Sequence, residues 1–223
     1  MHGVLTELTA SILLAIGALF PIVNPLGNAP IFLSLTRGLS GRGRARLSRA
    51  IAMNGLILMV ASIFIGTNIL GFFGISLPVV QVGGGLVVIS TGWALLRQSD
   101  DEEVGEAAKK PCDETSYMRQ AFYPLTLPLT VGPGSITVAI TLGANHGEGV
   151  AWNWPLMGGL LIGAALIALS IYLSYRFAER IAGALGDAAM NVVLRLSSFI
   201  LVCIGVQITW NGLSTLLAAL ARR

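Results

Sequence analysis

The sequence predicts an all-α membrane protein with six transmembrane helices, arranged as two inverted three-helix repeats. Of its 223 residues, 54% are hydrophobic and only 11% are charged, whereas a soluble domain carries about 25% charged residues. The mean hydropathy is +0.77. A proline pattern that occurs twice along the chain predicts the repeat. These observations exclude a soluble globular domain.

Long stretches without charged side chains define the membrane spans. Residues 50–96, 120–147 and 149–175 contain no Asp, Glu, Lys or Arg, and a helix needs about 20 apolar residues to cross the hydrocarbon core. We predict six spans, at about 9–36, 48–70, 78–96, 120–144, 153–175 and 191–219. The N-terminal MHGVLTEL lacks the basic start of a cleavable signal peptide, so the first run is expected to be a retained span.

The positions of Lys and Arg predict how the chain lies in the membrane. Except for the last two residues, every Lys and Arg falls in the connection after the first, third or fifth span or within the first few residues of the span that follows it, while 71–77 and 145–152 carry none. Because Lys and Arg are retained on the cytoplasmic side, we predict that both termini face outward. The net charge of +3 therefore reflects topology and gives no indication of nucleic-acid binding.

A triplet of prolines recurs at one constant offset and divides the chain into two halves. The matched positions are Pro21, Pro25 and Pro30 in the first half and Pro124, Pro128 and Pro133 in the second. Further on, Gly71-Phe-Phe-Gly74 corresponds to Gly183-Ala-Leu-Gly186. Since each half has three spans, an odd number, the second half enters the membrane from the opposite side. We predict one repeat at 1–96, a cytoplasmic linker at 97–119 and the inverted repeat at 120–223.

The six prolines are predicted to break the first and fourth spans. A proline inside a helix removes a backbone donor and costs about 3 kcal/mol, and broken backbone at membrane depth persists only where protein buries it or where it lines a polar cavity. Paired breaks in an inverted repeat indicate a transporter substrate site near the midplane. The free N–H groups of half-helices suit a carboxylate.

Small uncharged polar residues surround both predicted breaks and are our candidates for substrate binding. Asn28 precedes Ala29-Pro30 and is expected to cap a helix, and the glycines flanking Pro133 are expected to start the second half of the fourth span. These groups favour a small zwitterion as the ligand. The candidates are Asn24, Gly27 and Asn28 at the first break, and Thr126, Thr130, Gly132, Gly134 and Ser135 at the second.

The chemistry missing from the spans restricts the function further. They hold no carboxylate or histidine for a proton relay and no acid–base pair or activated nucleophile, so we expect no enzyme. The two cysteines are too far apart in the sequence to suggest a redox pair, and no cluster of metal ligands is visible. We therefore expect no cofactor and no metal site, with a coupling cation, Na⁺ or H⁺, left open.

Two stretches, PIVNPLGNAPIFLSLT and YPLTLPLTVGPGSITVAITLGA, resemble the signature segments of the MarC family of membrane proteins. The patterns that carry the resemblance are NPxGNxPxF, from Asn24 to Phe32, and PLTxGPGS, from Pro128 to Ser135. The resemblance implies a multi-pass protein of the inner (cell) membrane. Family members called SnatA transport small neutral amino acids such as glycine and alanine, so it also implies alternating-access transport, with the substrate held between the broken first and fourth spans.

One other function, export of a different class of solute, is also compatible with a six-span protein of this kind. The alternative is an exporter of other small solutes or drugs, although the residues at the breaks are small and an exporter of drugs is expected to have an aromatic cavity. The sequence leaves open the preferred amino acid, the direction of transport, the driving ion and the oligomeric state, a homo-oligomer included. The expected partners are a zwitterionic amino acid and the lipid bilayer.

Overall fold

The structure, a computed structural model, describes residues 2–36, 38–97, 114–144 and 154–221, and every regular element among them is helical. Between α5 and α6 the chain winds in wide turns over Ala121–Thr130, which we call the proline segment. Residues 98–113 of the predicted linker lie outside the described residues. The helices are α1 (His2–Val23), α2 (Pro25–Leu35), α3 (Gly41–Phe72), α4 (Leu77–Arg97), α5 (Glu114–Arg119), α6 (Pro133–Ala144), α7 (Trp154–Arg176) and α8 (Ala178–Ala221).

Five helical stretches in the described part of the chain are long and apolar enough to cross a membrane. The proline segment and α6, taken together, make a sixth, but the two parts are bent by 72°. Each predicted span coincides with one of these stretches. The helix of the second span starts earlier than predicted, at Gly41, because the Ser40 side chain caps it by accepting a hydrogen bond from Gly43 N at 3.1 Å. The five are Gly3–Leu35, Gly41–Phe72, Leu77–Arg97, Trp154–Arg176 and Arg195–Ala221.

Most of the helices share one buried apolar cluster, which we call the core body. It draws its residues from α1, α2, α3, the proline segment, α6 and α7. Among the residues whose burial the structure describes, α4 contributes none and α8 contributes Ala178 at its start, with Ile208 packed against the cluster. Small residues let these helices approach closely. A Cβ on Gly159 or Gly163 of α7 would press against Ser11 or Ala15 of α1, and one on Gly66 of α3 against Ile140 of α6.

The remaining long helices, α4 and α8, pack on each other and form what we call the α4–α8 pair. Their contact runs along glycines. A Cβ on Gly85 would lie 2.7 Å from the Gly205 carbonyl, and one on Gly92 would lie 3.0 Å from the Ser198 carbonyl. Helix α8 is broken at Gly186 (φ 70, ψ 166), and its apolar span begins beyond this kink at Arg195. The fold is thus a core body with a two-helix layer against it.

One end of the molecule, which we call the basic end, carries the arginines at the start of α3 and at the ends of α4 and α7. Arg44 is 4% exposed there and forms an ion pair with Glu179, with 2.6 Å between Nη1 and Oε1. Its Nη2 also donates to the carbonyls of Thr36 and Leu39, each at 3.4 Å. The ion pair joins the beginning of α3 to the beginning of α8.

Candidate functional site

The first break is one residue long. Asn24 adopts a left-handed conformation (φ 45, ψ 58) between α1 and α2, which Asn tolerates better than most residues. Its Oδ1 accepts a hydrogen bond from Gly27 N at 3.1 Å and thereby caps α2. A Cβ on Gly27 would collide with this amide, so the glycine makes room for the cap. The prediction that Asn28 is the cap is wrong, because Pro25 already occupies the first helical position.

Asn28 has a different role, as a bridge between the two breaks. Its side-chain amide donates to the Val23 carbonyl at 2.9 Å and to the Leu129 carbonyl at 3.1 Å. Val23 ends α1, where the last carbonyls of a helix lack intrahelical partners, and Leu129 belongs to the proline segment. Asn28 is 7% exposed. One buried side chain therefore donates a hydrogen bond to a backbone carbonyl at each of the two breaks.

Not every matched proline interrupts a helix. Pro21 lies inside α1 and Pro30 inside α2, so the prediction that these two break the first span is wrong. Pro21 removes one backbone donor from the last turn of α1, yet the helical bonding continues past it, since Asn24 N bonds the Phe20 carbonyl at 2.9 Å. Membrane helices continue through a proline when neighbouring groups compensate for the lost bond.

The second break is longer than the first. Tyr123 (φ −127, ψ 125) and Leu127 (φ −106, ψ 123) are extended, as expected of residues that precede a proline, here Pro124 and Pro128. The Thr126 hydroxyl compensates by donating to the carbonyl of a residue five positions earlier, at 2.6 Å. Backbone conformation forced by the two prolines is thus stabilised by a threonine side chain.

Helix α6 begins at Pro133, between two glycines. Ile136 N bonds the Gly132 carbonyl at 3.2 Å, and the Ser135 hydroxyl donates to the same carbonyl at 3.0 Å. The backbone N–H groups of Gly134 and Ser135 belong to the first turn, where a helix offers donors without intrahelical partners. This end of α6 presents N–H groups and the positive end of a helix dipole.

Both breaks line the same cavity, which has a volume of about 370 Å³. It lies between the core body and the α4–α8 pair, since Val87, Thr91 and Leu201 form its opposite wall. None of the described residues that line it is charged. The predicted site and break residues that line it are Asn24, Asn28, Pro128, Thr130, Gly132, Pro133, Gly134 and Ser135.

Two candidates do not reach this cavity. Gly27 supports the Asn24 cap, as described above. Thr126 is 0% exposed and faces α3, where Asn54 Nδ2 lies 3.5 Å from its Oγ1. Among the prolines, Pro21, Pro25, Pro30 and Pro124 also lie away from the cavity lining.

Tyr175 supports the site from behind, without lining the cavity, and the sequence did not reveal it. Its hydroxyl lies 2.9 Å from Thr130 Oγ1. Because Thr130 gives its own proton to the Leu125 carbonyl at 2.7 Å, Tyr175 is the donor of this bond. The ring stacks on Phe32, with 4.4 Å between centroids. A tyrosine in the last turn of an apolar span is expected at the membrane interface, yet this one is completely buried beneath the second break.

The cavity extends toward the basic end. On α4 its lining runs from Val87 to Leu95, next to Arg97. The first half of α4 is instead closed against α6: a Cβ on Gly84 would collide with Thr137, and Gln81 Nε2 donates to Thr141 Oγ1 at 3.4 Å. The site is therefore sealed on the side away from the arginines by contacts between the α4–α8 pair and the core body.

Comparison with known proteins places these features in a family. Residues 9–217 match the family described as MarC family integral membrane protein. The chain is 30% identical over 212 residues to the inner membrane protein MarC of Escherichia coli O157:H7. The aligned residues cover 93% of this chain and 96% of the relative. Identity and coverage are the same for the proteins of that name in Escherichia coli strains SMS-3-5 and K12. No solved structure matches the chain.

Proposed function

The chain belongs to the MarC family of integral membrane proteins, and on this premise we propose that it transports small neutral amino acids, of the glycine and alanine class, by alternating access. The observation that carries the proposal is the shared cavity. Two separate interruptions of apolar spans line one uncharged space between two packed bodies, the position in which transporters with broken helices bind their substrates.

The polar groups of the cavity fit a zwitterion. The N–H groups of Gly134 and Ser135 at the start of α6 are suited to a carboxylate. The Asn24 side chain and the carbonyls of the second break are suited to an ammonium group. The apolar wall, with Val87 and Leu95, offers no partner for a charged side chain, which favours neutral amino acids. A cavity without charge also gives no reason to assign an enzymatic reaction, a metal or a cofactor.

We propose that the two halves are an inverted repeat with discontinuous first and fourth spans. Besides the prolines, the conformation and the position of two corresponding glycines support this proposal. Gly74 and Gly186, which correspond in the sequence, both have positive φ (67 and 70), and both precede the third span of their half. The correspondence has limits, since α2 begins at Pro25, the second proline of its triplet, whereas α6 begins at Pro133, the third.

The proposed transport cycle follows from the division into two bodies. The α4–α8 pair contains the third span of each half, and its contacts through Gln81 and Gly84 with α6 close the cavity on the side away from the arginines. Rocking of the pair would separate Gln81 and Gly84 from α6 and close the cavity at the basic end. By the distribution of arginines, we place the basic end in the cytoplasm and both termini outside.

Counterflow into proteoliposomes tests the function. Vesicles that contain the purified protein are loaded with unlabelled glycine, and entry of radiolabelled glycine or alanine is followed while Na⁺ and pH gradients are varied separately. The proposal requires saturable counterflow that excess alanine inhibits, and the gradients then identify the coupling ion. Folded protein that exchanges none of the small neutral amino acids would refute the substrate. Inhibition by large apolar solutes instead would favour the alternative, an exporter of other small solutes or drugs.

Thiol cross-linking tests the moving unit. In a background with Cys112 and Cys203 replaced by Ser, the pair Gln81→Cys and Thr141→Cys would be bridged with a short bifunctional thiol reagent. If the α4–α8 pair moves against α6, the bridge abolishes counterflow and its reductive cleavage restores it. The matched control is a bridge between α1 and α7 inside the core body, Leu8→Cys with Gly158→Cys, since a Cβ on Gly158 would lie 3.7 Å from the Leu8 side chain. This bridge is expected to leave counterflow intact. Equal inhibition by both bridges would contradict the proposed motion.

A further inference from the structure

A second cavity, of about 380 Å³, opens on the outer surface of α3 and α7 at the basic end. Its floor is formed by Ala52 and Ala168, which are 7% and 6% exposed, and Met53 and Leu169, each 49% exposed, stand at its sides. Alanines below and long apolar side chains on either side give a trough that is open to the membrane. It does not belong to the site between the breaks, because no residue lines both cavities.

Two cations lie at one end of this trough. Arg49 lines it and is exposed, and none of the described carboxylates pairs with it. Tyr172 lines the same end, and its hydroxyl accepts a hydrogen bond from Arg176 Nη1. The guanidinium of Arg176 also lies 5.6 Å from the centre of the Tyr172 ring. The nearby acid, Glu179, is already engaged by Arg44.

The position of these arginines corresponds to the membrane surface. Arg49 immediately precedes the uncharged stretch 50–96, and Arg176 immediately follows 149–175. The trough therefore starts at headgroup level and continues into the hydrocarbon region. Basic pockets between transmembrane helices at this level bind anionic lipid headgroups.

We propose that the trough is a binding site for an anionic phospholipid. The phosphate would accept hydrogen bonds from the guanidinium groups of Arg49 and Arg176, a pairing that Arg makes in a bidentate manner. One acyl chain would lie along Ala52 and Ala168. A free anion would leave the apolar trough empty, and a second copy of the chain would bring like-charged arginines into contact.

Native mass spectrometry of the full-length protein, released from detergent micelles, tests the proposal directly. Phosphatidylglycerol and phosphatidylcholine with identical acyl chains are added at equal concentration, and the bound fraction of each is measured. We expect preferential retention of phosphatidylglycerol. Since one arginine near an anionic headgroup contributes about 1 kcal/mol, Arg49→Gln is expected to lower the preference about fivefold.

Arg97→Gln is the matched control, because Arg97 is exposed at the same end of the molecule but does not line the trough. This variant is expected to retain the preference of the unmodified protein. Absence of any preference in the unmodified protein would overturn the proposal. So would an equal loss in both variants, which would indicate a general attraction to positive charge. Transport does not enter the measurement, so its outcome is independent of the proposed function.

Discussion

The bridge made by Asn28 allows a quantitative prediction. Asn28→Leu keeps the approximate volume of the side chain and removes only the amide that joins the Val23 and Leu129 carbonyls, at 2.9 and 3.1 Å. The bond to Val23 is completely buried, and a buried acceptor left without a partner costs about 1–3 kcal/mol. The Leu129 carbonyl is beside the cavity, where water replaces the lost donor, so its loss costs about 1 kcal/mol.

We therefore expect Asn28→Leu to lower the free energy of unfolding by about 2–4 kcal/mol. In a chain of this size that corresponds to a fall in Tm of at least about 4 °C. Thermal unfolding of the purified protein, followed by circular dichroism, measures it. Asn24→Gly is the control, since glycine adopts the left-handed conformation and costs only about a few tenths of a kcal/mol at a cap. If both variants unfold at the same temperature, the bridge does not stabilise the broken backbone.

Three further predictions concern other contacts. Tyr175→Phe removes the buried hydroxyl that contacts Thr130 but keeps the stacked ring. It is expected to cost about 1 kcal/mol and, because Thr130 lines the cavity, to raise KM in glycine counterflow; an unchanged KM would show that Tyr175 does not position Thr130. Gly84→Ala, whose Cβ meets Thr137 of α6, is expected to destabilise by about 1–3 kcal/mol. Gly83→Ala, in the same helix with open space around it, is expected to be neutral or to stabilise by up to about 1 kcal/mol; equal Tm values would contradict the packing. Arg44→Met is expected to lower Tm more than Glu179→Gln, because Arg44 is buried and also donates hydrogen bonds to two backbone carbonyls. A larger fall in Tm for Glu179→Gln would refute this account of the basic end.

The sequence identifies the spans and most of the cavity because both depend on local chemistry. Uncharged stretches mark membrane-crossing helices wherever they pack, and prolines mark interruptions. Asn24, Thr130 and Ser135 could be predicted to line the site because they are the polar residues beside those interruptions. The same local rule fails for Pro21 and Pro30, since neighbouring helices decide whether a proline ends a helix.

Other features depend on tertiary contacts that no local pattern encodes. Asn28 bridges the two breaks only because its side chain reaches the Leu129 carbonyl, which lies about a hundred residues away along the chain. Tyr175 could not be predicted because its hydroxyl finds Thr130 only after α7 packs against the proline segment. The wall formed by Val87, Thr91 and Leu201 consists of ordinary lipid-compatible residues, so only the position of the α4–α8 pair gives them a role.

For the proposed cycle, the packing of glycines favours separation at the α4–α6 contact and retention of the α4–α8 contact. Between α4 and α8 backbone meets backbone: a Cβ on Gly205 would lie 2.8 Å from the Gly85 carbonyl, and helices in such contact move together. Between α4 and α6 a glycine instead meets a side chain, Gly84 against Thr137 and Gly134 against Val88. Side chains rotate away as helices part, and the hydrogen bond across this contact is long, 3.4 Å between Gln81 and Thr141. In the proposed cycle, the α4–α6 contact would therefore open at less cost than the α4–α8 contact, and the α4–α8 contact would keep its geometry, as rocking of a rigid pair requires.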